Sequence, residues 1–259
     1  MRHRSPAICL RTSDYSETSQ VVSFLTRGQG IVRVIAKGVK RPKSKAGGAL
    51  DLLAEGELVY TAGRGEGLGT LIEFAETAWR TALRRDAARL NAALYALELT
   101  GALLGEGDPM PEAFDLLHNA LGRLGQPDAP APAVLAYFQW RLLRRVGLLG
   151  DLHVCGACGR TTEAVGRGDV WWSAAAGGLL CDACEGAHPE KYRLDDAALA
   201  GLVALAEAER GRRVSLPPDQ AHAANRALAY HAAWQVGQPL RMARHAIPAP
   251  RLQGNSGSV

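Results

Sequence analysis

The sequence has few aromatic residues, few lysines and no long apolar run. Phe, Trp and Tyr make up 6% of its 259 residues, and only five of its 30 Lys and Arg residues are lysine. No apolar run reaches the roughly 20 residues of a membrane-spanning helix. The charged first 12 residues lack the apolar region of a secretion signal. We therefore expect a cytoplasmic protein with one large core or two to three small domains.

Positive charge without counter-charge is concentrated in one segment. Four of the five lysines lie within nine positions, and no Asp or Glu occurs between Thr18 and Leu50. Gly, Pro and Ser punctuate the segment 36–48, so we expect a flexible loop whose cations do not fold back into ion pairs. Such a loop favours an external polyanion, above all a phosphate backbone. A solvated surface loop or a nuclear-localisation signal has the same composition.

The residues predicted to contact nucleic acid include the loop cations and nearby arginines. Arg33 lies on the segment that leads into the loop. Three further arginines belong to a predicted helix, where arginines are more often only solvated. The full set is Arg33, Lys37, Lys40, Arg41, Lys43, Lys45, Arg80, Arg84 and Arg85.

Residues 1–79 are predicted to form a small β-barrel. Five short segments rich in Val, Ile, Leu or Phe are bounded by Gly, Ser, Asp or Pro, and five strands is the OB-fold number. The glycine-rich turn 63–69 lacks the Gly-Lys-Ser/Thr of a phosphate-binding P-loop. The predicted strands are Ala7–Arg11, Gln20–Thr26, Gly30–Ala36, Glu57–Thr61 and Leu68–Glu76.

Aromatic side chains are scarce in this predicted barrel. Residues 1–80 hold five of them, and a barrel core usually uses several. Sequence-tolerant single-strand binders stack bases on exposed aromatics. We therefore expect contact with phosphates that is independent of base sequence, and that lowers the repulsion between two strands.

From Trp79 onwards the apolar period becomes helical. Leucines recur at three-, four- and seven-residue spacings, which predicts one apolar helix face. We expect an α-helical bundle domain from residues 80–150 plus 190–247, followed by a fraying tail at 248–259. The predicted helices are 79–104, 111–124, 133–149, 195–210 and 218–236.

Four cysteines form two Cys-x-x-Cys pairs, Cys155/Cys158 and Cys181/Cys184, separated by 22 residues. This spacing is typical of a four-thiolate zinc site, because two sulfurs of one tight turn can reach the same ion. Disulfides, inert thiols or a redox motif fit the pattern less well. We expect one structural Zn²⁺ in a ribbon-like inserted module at 151–189.

No catalytic residue is predicted. Four matched cysteines leave no open position on the metal, and the His-x-Glu of a zinc deaminase is absent. His153 and His188 are alternative ligands but are more typical of surface histidines. Of Trp171 and Trp172, one is expected to face the core of the module and the other its docking surface.

Three segments resemble the RecO family of bacterial recombination mediators and DNA-repair proteins. Residues 7–17 (AICLRTSDYSE) look like its opening strand and turn, and residues 36–44 (AKGVKRPKS) like its basic loop. Residues 137–143 (YFQWRLL), followed by Gly147 to Cys158, look like its last helix before the cysteine module. The likeness runs from near residue 7 to about 185.

The resemblance implies an α+β multidomain fold with an N-terminal OB-fold β-barrel, an α-helical domain and an inserted zinc module. It also implies binding of single- and double-stranded DNA and annealing of complementary strands. The implied partners are RecR, single-stranded DNA-binding protein and, indirectly, the RecA recombinase, in a cytoplasmic protein associated with the nucleoid. None of these activities needs nucleotide hydrolysis.

Two competing hypotheses remain. A zinc-ribbon RNA-binding or transcription-associated protein would share the barrel and the ribbon, but it would carry cations on the ribbon itself. Residues 153–188 contain only Arg160 and Arg167 besides histidines. A metalloenzyme would need an open metal position.

Overall fold

The structure is a computed structural model that describes residues 1–41, 48–63, 67–78, 80–161 and 170–249. It contains an N-terminal barrel, a group of packed helices and a small sheet that carries the cysteines. The α+β multidomain prediction is confirmed.

The closed barrel consists of five strands, which are Arg2–Asp14 (β1), Gln20–Thr26 (β2), Gly30–Ala36 (β3), Glu55–Thr61 (β4) and Gly69–Ala78 (β5). Their order around the barrel is β1-β2-β3-β5-β4. Neighbouring strands are antiparallel except for the parallel pair β3 and β5, which is the connectivity of an OB-fold. Inward-facing residues such as Phe24, Phe74 and Cys9 fill the interior, and burial raises the pKa of the Cys9 thiol.

Strand β1 contains one extra residue. Its pairing with β2 steps from Cys9↔Phe24 to Arg11↔Ser23, so Leu10 has no partner across the ladder. Because side chains alternate between the two faces of a strand, this β-bulge resets the alternation. Cys9 faces the barrel core before the bulge, whereas Arg11 is exposed directly after it.

The helical domain follows the barrel. The predicted helix 79–104 is wrong at its start, because Asp86 is extended and its side chain caps the next helix by accepting from the amide of Arg89. A 3₁₀ turn, Thr81–Arg85, precedes it. The helices are Ala87–Leu103 (α1), Pro111–Leu124 (α2), Ala131–Arg145 (α3), Asp182–Glu185 (α4), Asp196–Glu209 (α5), Pro218–Val236 (α6) and Ala243–Ala246 (α7).

A buried polar chain links three of these helices. Tyr95 of α1 donates to Gln139 of α3 over 2.9 Å, and Gln139 donates to Asn225 of α6 over 2.7 Å. Asn225 in turn donates to the carbonyl of Pro132. Because each buried amide has a partner, the chain adds no unpaired polar group to the apolar core.

The cysteine module docks on α6 through Trp172 and through a hydrogen bond of 2.7 Å from Gln235 to the carbonyl of Ala174. Its sheet, in the order β7-β6-β8, consists of Val170–Ser173 (β6), Gly178–Leu180 (β7) and Tyr192–Leu194 (β8), so its third strand lies beyond residue 189. Trp172 is fully buried and donates to Nδ1 of His231 over 3.2 Å. The other ring nitrogen of His231 donates to the carbonyl of Leu148 over 2.7 Å. Trp171 is half-buried, with Lys191 over its ring.

The barrel and the helices meet along an interface that we call the seam. Gly30 has a φ of +68° and lies against the backbone of Asp108, where a Cβ atom would clash. Arg27 binds Asp115 of α2 through two hydrogen bonds of 2.9 and 3.0 Å. These close contacts cover one end of the outer surface of β1, β2 and β3 and leave the other end open.

Candidate nucleic-acid interface and metal centre

The start of the basic loop is joined to the turn between β1 and β2. The amide of Gly38 donates to the hydroxyl of Ser19 over 3.2 Å, and the amide of Lys40 donates to the carbonyl of Thr18 over 3.1 Å. The turn 15–19 and the segment 37–41 therefore form one ledge, which we call the free end of the barrel. It lies away from the contacts with the helices.

The cations of the free end differ in their pairing. Lys37 and Arg41 are exposed and form no ion pair within the described part of the chain. Lys40 is half-buried, and its Nζ lies 2.6 Å from a carboxylate oxygen of Asp14. The expectation that no loop cation folds back into an ion pair was therefore wrong for Lys40, because the partner comes from β1. Lys43 and Lys45 lie outside the described residues.

The remaining predicted arginines are distributed along the seam. Arg33 lies 3.4 Å from Glu106, and Arg84 lies 2.7 Å from Asp51, both at exposed positions. Arg80 is nearly buried and pairs with Glu55. Arg85 is exposed and has no ion pair among the residues that the structure describes. The structure thus brings together Lys37, Lys40 and Arg41, and separates from them the three arginines that follow the barrel.

Glu55 is the centre of a charged cluster within the seam. Its side chain is 10% exposed and accepts from Arg80, whose side chain is 15% exposed. Nδ1 of His118 on α2 contacts the other carboxylate oxygen. The Nε atom of Arg80 is buried and has no partner in the described part of the structure. This geometry is that of a structural ion pair, since little of Arg80 is accessible to a ligand.

A cavity of about 530 Å³ lies beside this cluster, between the segment 48–54, β5 and the 3₁₀ turn. Arg80 and Arg84 line it together with Asp51 and Glu76. Burial raises the pKa of the Glu76 carboxyl, the nearby Asp51 raises it further, and Arg84 opposes both effects. Since its two arginines already pair with carboxylates, the cavity has no excess of positive charge.

The outer surface of the strands beside the free end also carries exposed residues. Arg11, Ser23 and Arg33 lie side by side across β1, β2 and β3. The next outward row consists of Ser13, Val21 and Ile35. We call these two rows the free outer face.

Sequence reasoning missed Arg11 as a candidate. The signal that could have found it is the outward alternation of Arg11 and Ser13 on β1, but the bulge at Leu10 conceals this register.

The four predicted zinc ligands converge. The Sγ atoms of Cys155, Cys158, Cys181 and Cys184 all lie within 4.8 Å of one another, and those of Cys158 and Cys181 are 3.7 Å apart. A tetrahedral zinc ion with Zn–S bonds of about 2.3 Å places its sulfurs about 3.8 Å apart. The donor set and its spacing therefore fit one four-coordinate metal ion.

The backbone around Cys155 also suits an anionic sulfur. The amide of Cys181 donates to Sγ of Cys155 over 3.4 Å. Burial alone would raise the pKa of the Cys155 thiol, but the amides of Cys181, Cys158 and Ala157 together lower it to about 6. Gly159 has a φ of +72°, which the tight turn requires. Such a knuckle favours the thiolate that a metal needs.

The two flanking histidines have other partners. Nε2 of His153 lies 2.9 Å from a guanidinium nitrogen of Arg210. His188 lies 3.3 Å from Glu190, which also accepts from the buried Ser173. Neither histidine belongs to the cluster of close metal-binding atoms found among the described residues.

Comparison with known families covers most of the chain. The family models described as Recombination protein O N terminal and Recombination protein O C terminal match residues 1–78 and 84–243. The chain belongs to the RecO family. The resemblance predicted from the three short segments is confirmed.

Relatives named DNA repair protein RecO align over most of their length. One from Anaeromyxobacter dehalogenans is 34% identical over 216 residues, which cover 83% of this chain and 84% of the relative. One from Myxococcus xanthus is 32% identical over 245 residues, covering 93% and 95%. One from Salinibacter ruber is 34% identical over 207 residues, covering 80% and 76%.

None of the helices within the described ranges is long and apolar enough to cross a bilayer.

Proposed function

We propose that this protein is a recombination mediator in DNA repair that binds single- and double-stranded DNA through its basic loop and anneals complementary strands. The observation that carries the proposal is the free end of the barrel. There, the exposed Lys37 and Arg41 have no acidic partner within the described residues, and the further loop cations Lys43 and Lys45 follow in the sequence. Membership of the RecO family supports the same conclusion.

The chemistry of this surface suits annealing. Two strands repel each other through their phosphates, and cations that reach both backbones lower that repulsion. Lysine and arginine side chains on a loop contact phosphates without reading base edges, so binding through them is independent of sequence. The proposed role is binding and not a covalent reaction.

The four-cysteine centre would hold one Zn²⁺ with a structural role. Four thiolates complete its coordination, so no position remains for water or substrate. Bound zinc would tie the knuckle at 155–158 to the knuckle at 181–184. This closure would stabilise the sheet that carries Trp172, and with it the contact to α6.

The proposed partners follow from the family. We propose that the protein acts with RecR to load the RecA recombinase on DNA covered by single-stranded DNA-binding protein. It would do so in the cytoplasm, at the nucleoid.

The salt dependence of DNA binding tests the function. We expect the double variant Lys37→Ala/Arg41→Ala to weaken binding to single strands and duplex, and to reduce the log–log salt slope by about 0.7 to 0.9 per lost phosphate contact. Replacing Lys40, Lys43 and Lys45 as well should enlarge both effects and slow strand annealing. Fluorescence anisotropy at several salt concentrations measures the slope.

A matched control lowers the net charge equally. Arg212→Ala/Arg213→Ala removes two exposed arginines after α5, of which Arg212 pairs with Glu207. The slope should then stay unchanged. If the loop variants keep the wild-type slope and fold normally, or if RNA competes better than DNA, the proposed function is wrong.

A further inference from the structure

Tyr15 is the exposed aromatic residue among the barrel residues that the structure describes. Its relative exposure is 64%, whereas Phe24, Tyr60 and Phe74 are buried in the core. Its ring stacks on no other aromatic ring within the described ranges. A flat apolar ligand that covers such an exposed aromatic side chain binds favourably, because it removes apolar surface from water.

The turn that carries Tyr15 is fixed to the basic loop. The amide of Tyr15 donates to the carbonyl of Ser19 over 3.0 Å, and the hydroxyl of Ser19 accepts from the amide of Gly38. The ion pair of Asp14 with Lys40 closes the same ledge directly beside Tyr15. The backbone of Tyr15 and the segment 37–41 therefore belong to one hydrogen-bonded unit, which places Tyr15 on the same ledge as Lys37, Lys40 and Arg41.

Tyr15 also stands at one end of the free outer face. The exposed Arg11 and Ser13 precede it at two-residue intervals on β1, and Arg11 marks the opposite end. The strand ends at Asp14, so Tyr15 lies in the turn beyond the row of Ser13, and Arg11 lies on the far side of that row. Between them lie the half-buried Val21 and Ile35, an apolar floor without charge. The order is thus aromatic, apolar and cationic, which suits a strand with accessible bases.

We propose that Tyr15 stacks on an unpaired base, so that the free outer face is a subsite specific for single-stranded DNA. The inference rests on the proposed function and deepens it. Phosphates are available in single strands and in duplex alike, so the loop cations serve both ligands. The flat face of a base is accessible only where the duplex is open, so Tyr15 contributes to single strands alone.

This subsite differs from the expectation of purely backbone contact. The scarcity of aromatics in residues 1–80 remains, but one of them is placed outside the core and beside the cations. A single stacking platform tolerates every base, because each base has a π-face. The contact would therefore add preference for single strands without adding preference for sequence.

Substitutions at Tyr15 test the proposal. Tyr15→Leu keeps apolar bulk but removes the aromatic face, and we expect it to weaken binding to oligothymidylate about tenfold, within the range for one stacked base. Tyr15→Phe should bind like the wild type. Neither variant should change duplex affinity or the salt slope, because no charge is altered. Quenching of a 2-aminopurine oligonucleotide should be lost in Tyr15→Leu and kept in Tyr15→Phe.

The outcomes distinguish this inference from the proposed function. If Tyr15→Leu leaves single-strand affinity and 2-aminopurine quenching unchanged, the stacking subsite is wrong, while the effect of Lys37→Ala/Arg41→Ala still supports the function. Equal weakening for duplex and single strands would also overturn it. If the loop variant has no effect, the function fails whatever Tyr15 does. Thermal unfolding shows whether the variants are folded, and Tyr15→Ser provides a second variant should Tyr15→Leu aggregate.

Discussion

The free end of the barrel gathers basic side chains, and the four-cysteine module gathers thiols. The two regions differ in whether these side chains face solvent or one another. In the module, four sulfurs turn towards one point and backbone amides point at Cys155. At the free end, Lys37 and Arg41 are exposed, and Lys40 is the one cation among the described loop residues that meets a carboxylate. The module directs its sulfurs towards one another and towards its own backbone, whereas Lys37 and Arg41 at the free end have no acidic partner within the described residues.

The seam shows the same contrast within one residue type. Arg27 and Arg80 are as cationic as Arg41, yet each is bound to a carboxylate of this chain. The role of a cation therefore depends on its nearest acid and not on its residue type. Three predictions sharpen this contrast, and they are given in order of decreasing effect.

Loss of one proposed zinc ligand should destabilise the cysteine module and leave DNA binding by the free end of the barrel unchanged. Cys155→Ser should lose bound zinc and cost more than about 4 kcal/mol, because metal binding and folding of such a module are coupled. Metal analysis of the purified protein and thermal unfolding measure this. Cys9→Ala removes a thiol from the barrel core and should keep one zinc per chain. If Cys155→Ser also lowers the salt slope of DNA binding, the cysteine module and the free end are not independent, and this prediction is wrong.

Breaking the buried ion pair of Glu55 with Arg80 should lower the free energy of unfolding more than breaking an exposed ion pair. Glu55→Gln leaves Arg80 charged and nearly buried, so we expect a loss of about 2 kcal/mol in the free energy of unfolding. Glu106→Gln removes the partner of Arg33 at an exposed position and should cost less than about 1 kcal/mol. Urea unfolding of both variants gives the comparison. Equal losses in the free energy of unfolding would show that the contribution of these ion pairs does not depend on their exposure.

The smallest effect concerns pH and the docking of the module. Burial lowers the pKa of His231, although its hydrogen bond to Leu148 opposes this. The unfolded chain protonates at a pKa of about 6.5, so the stability from neutral His231 is complete above that pH. It is lost as pH falls from about 6.5 through the folded-state pKa, by at most about 1.4 kcal/mol per pH unit.

His231→Gln isolates this contribution. The difference in melting temperature between the wild type and the variant should shrink as the pH is lowered from about 7.5 to about 5.5. A constant difference would show that His231 does not titrate in this range.

The elements of the fold were predictable because their signals are local. The strand Gly30–Ala36 and the helix Pro218–Val236 begin and end where alternation, period and proline indicate. The helix predicted to start at Trp79 failed because an aspartate is a better cap than an interior residue, so the regular helix begins after Asp86. The cysteine spacing predicted the four-sulfur cluster, because Cys155 and Cys158 share a tight turn, and Cys181 and Cys184 share the one-turn helix α4 and its cap.

The partners of the cations were not predictable in the same way. Lys40 meets Asp14 only because the barrel places the β1–β2 turn beside the loop, and Glu55 meets Arg80 across the seam. Such contacts join residues 25 or more positions apart, and no local pattern encodes them. The exposure of Tyr15 was not predicted either, although the residues around it, Ser-Asp before it and Ser-Glu after it, are typical of a turn.

The unpaired Leu10 in β1 has a consequence for sequence change in this strand. If Leu10 were removed, Cys9 and Arg11 would become neighbours in a regular ladder, and each later residue would keep its partner on β2 and its face of the barrel. The loss would be that of the leucine side chain, which is buried in the core shared with the helices. A deletion at this position would therefore lower stability through one lost packing contact, without a change of register.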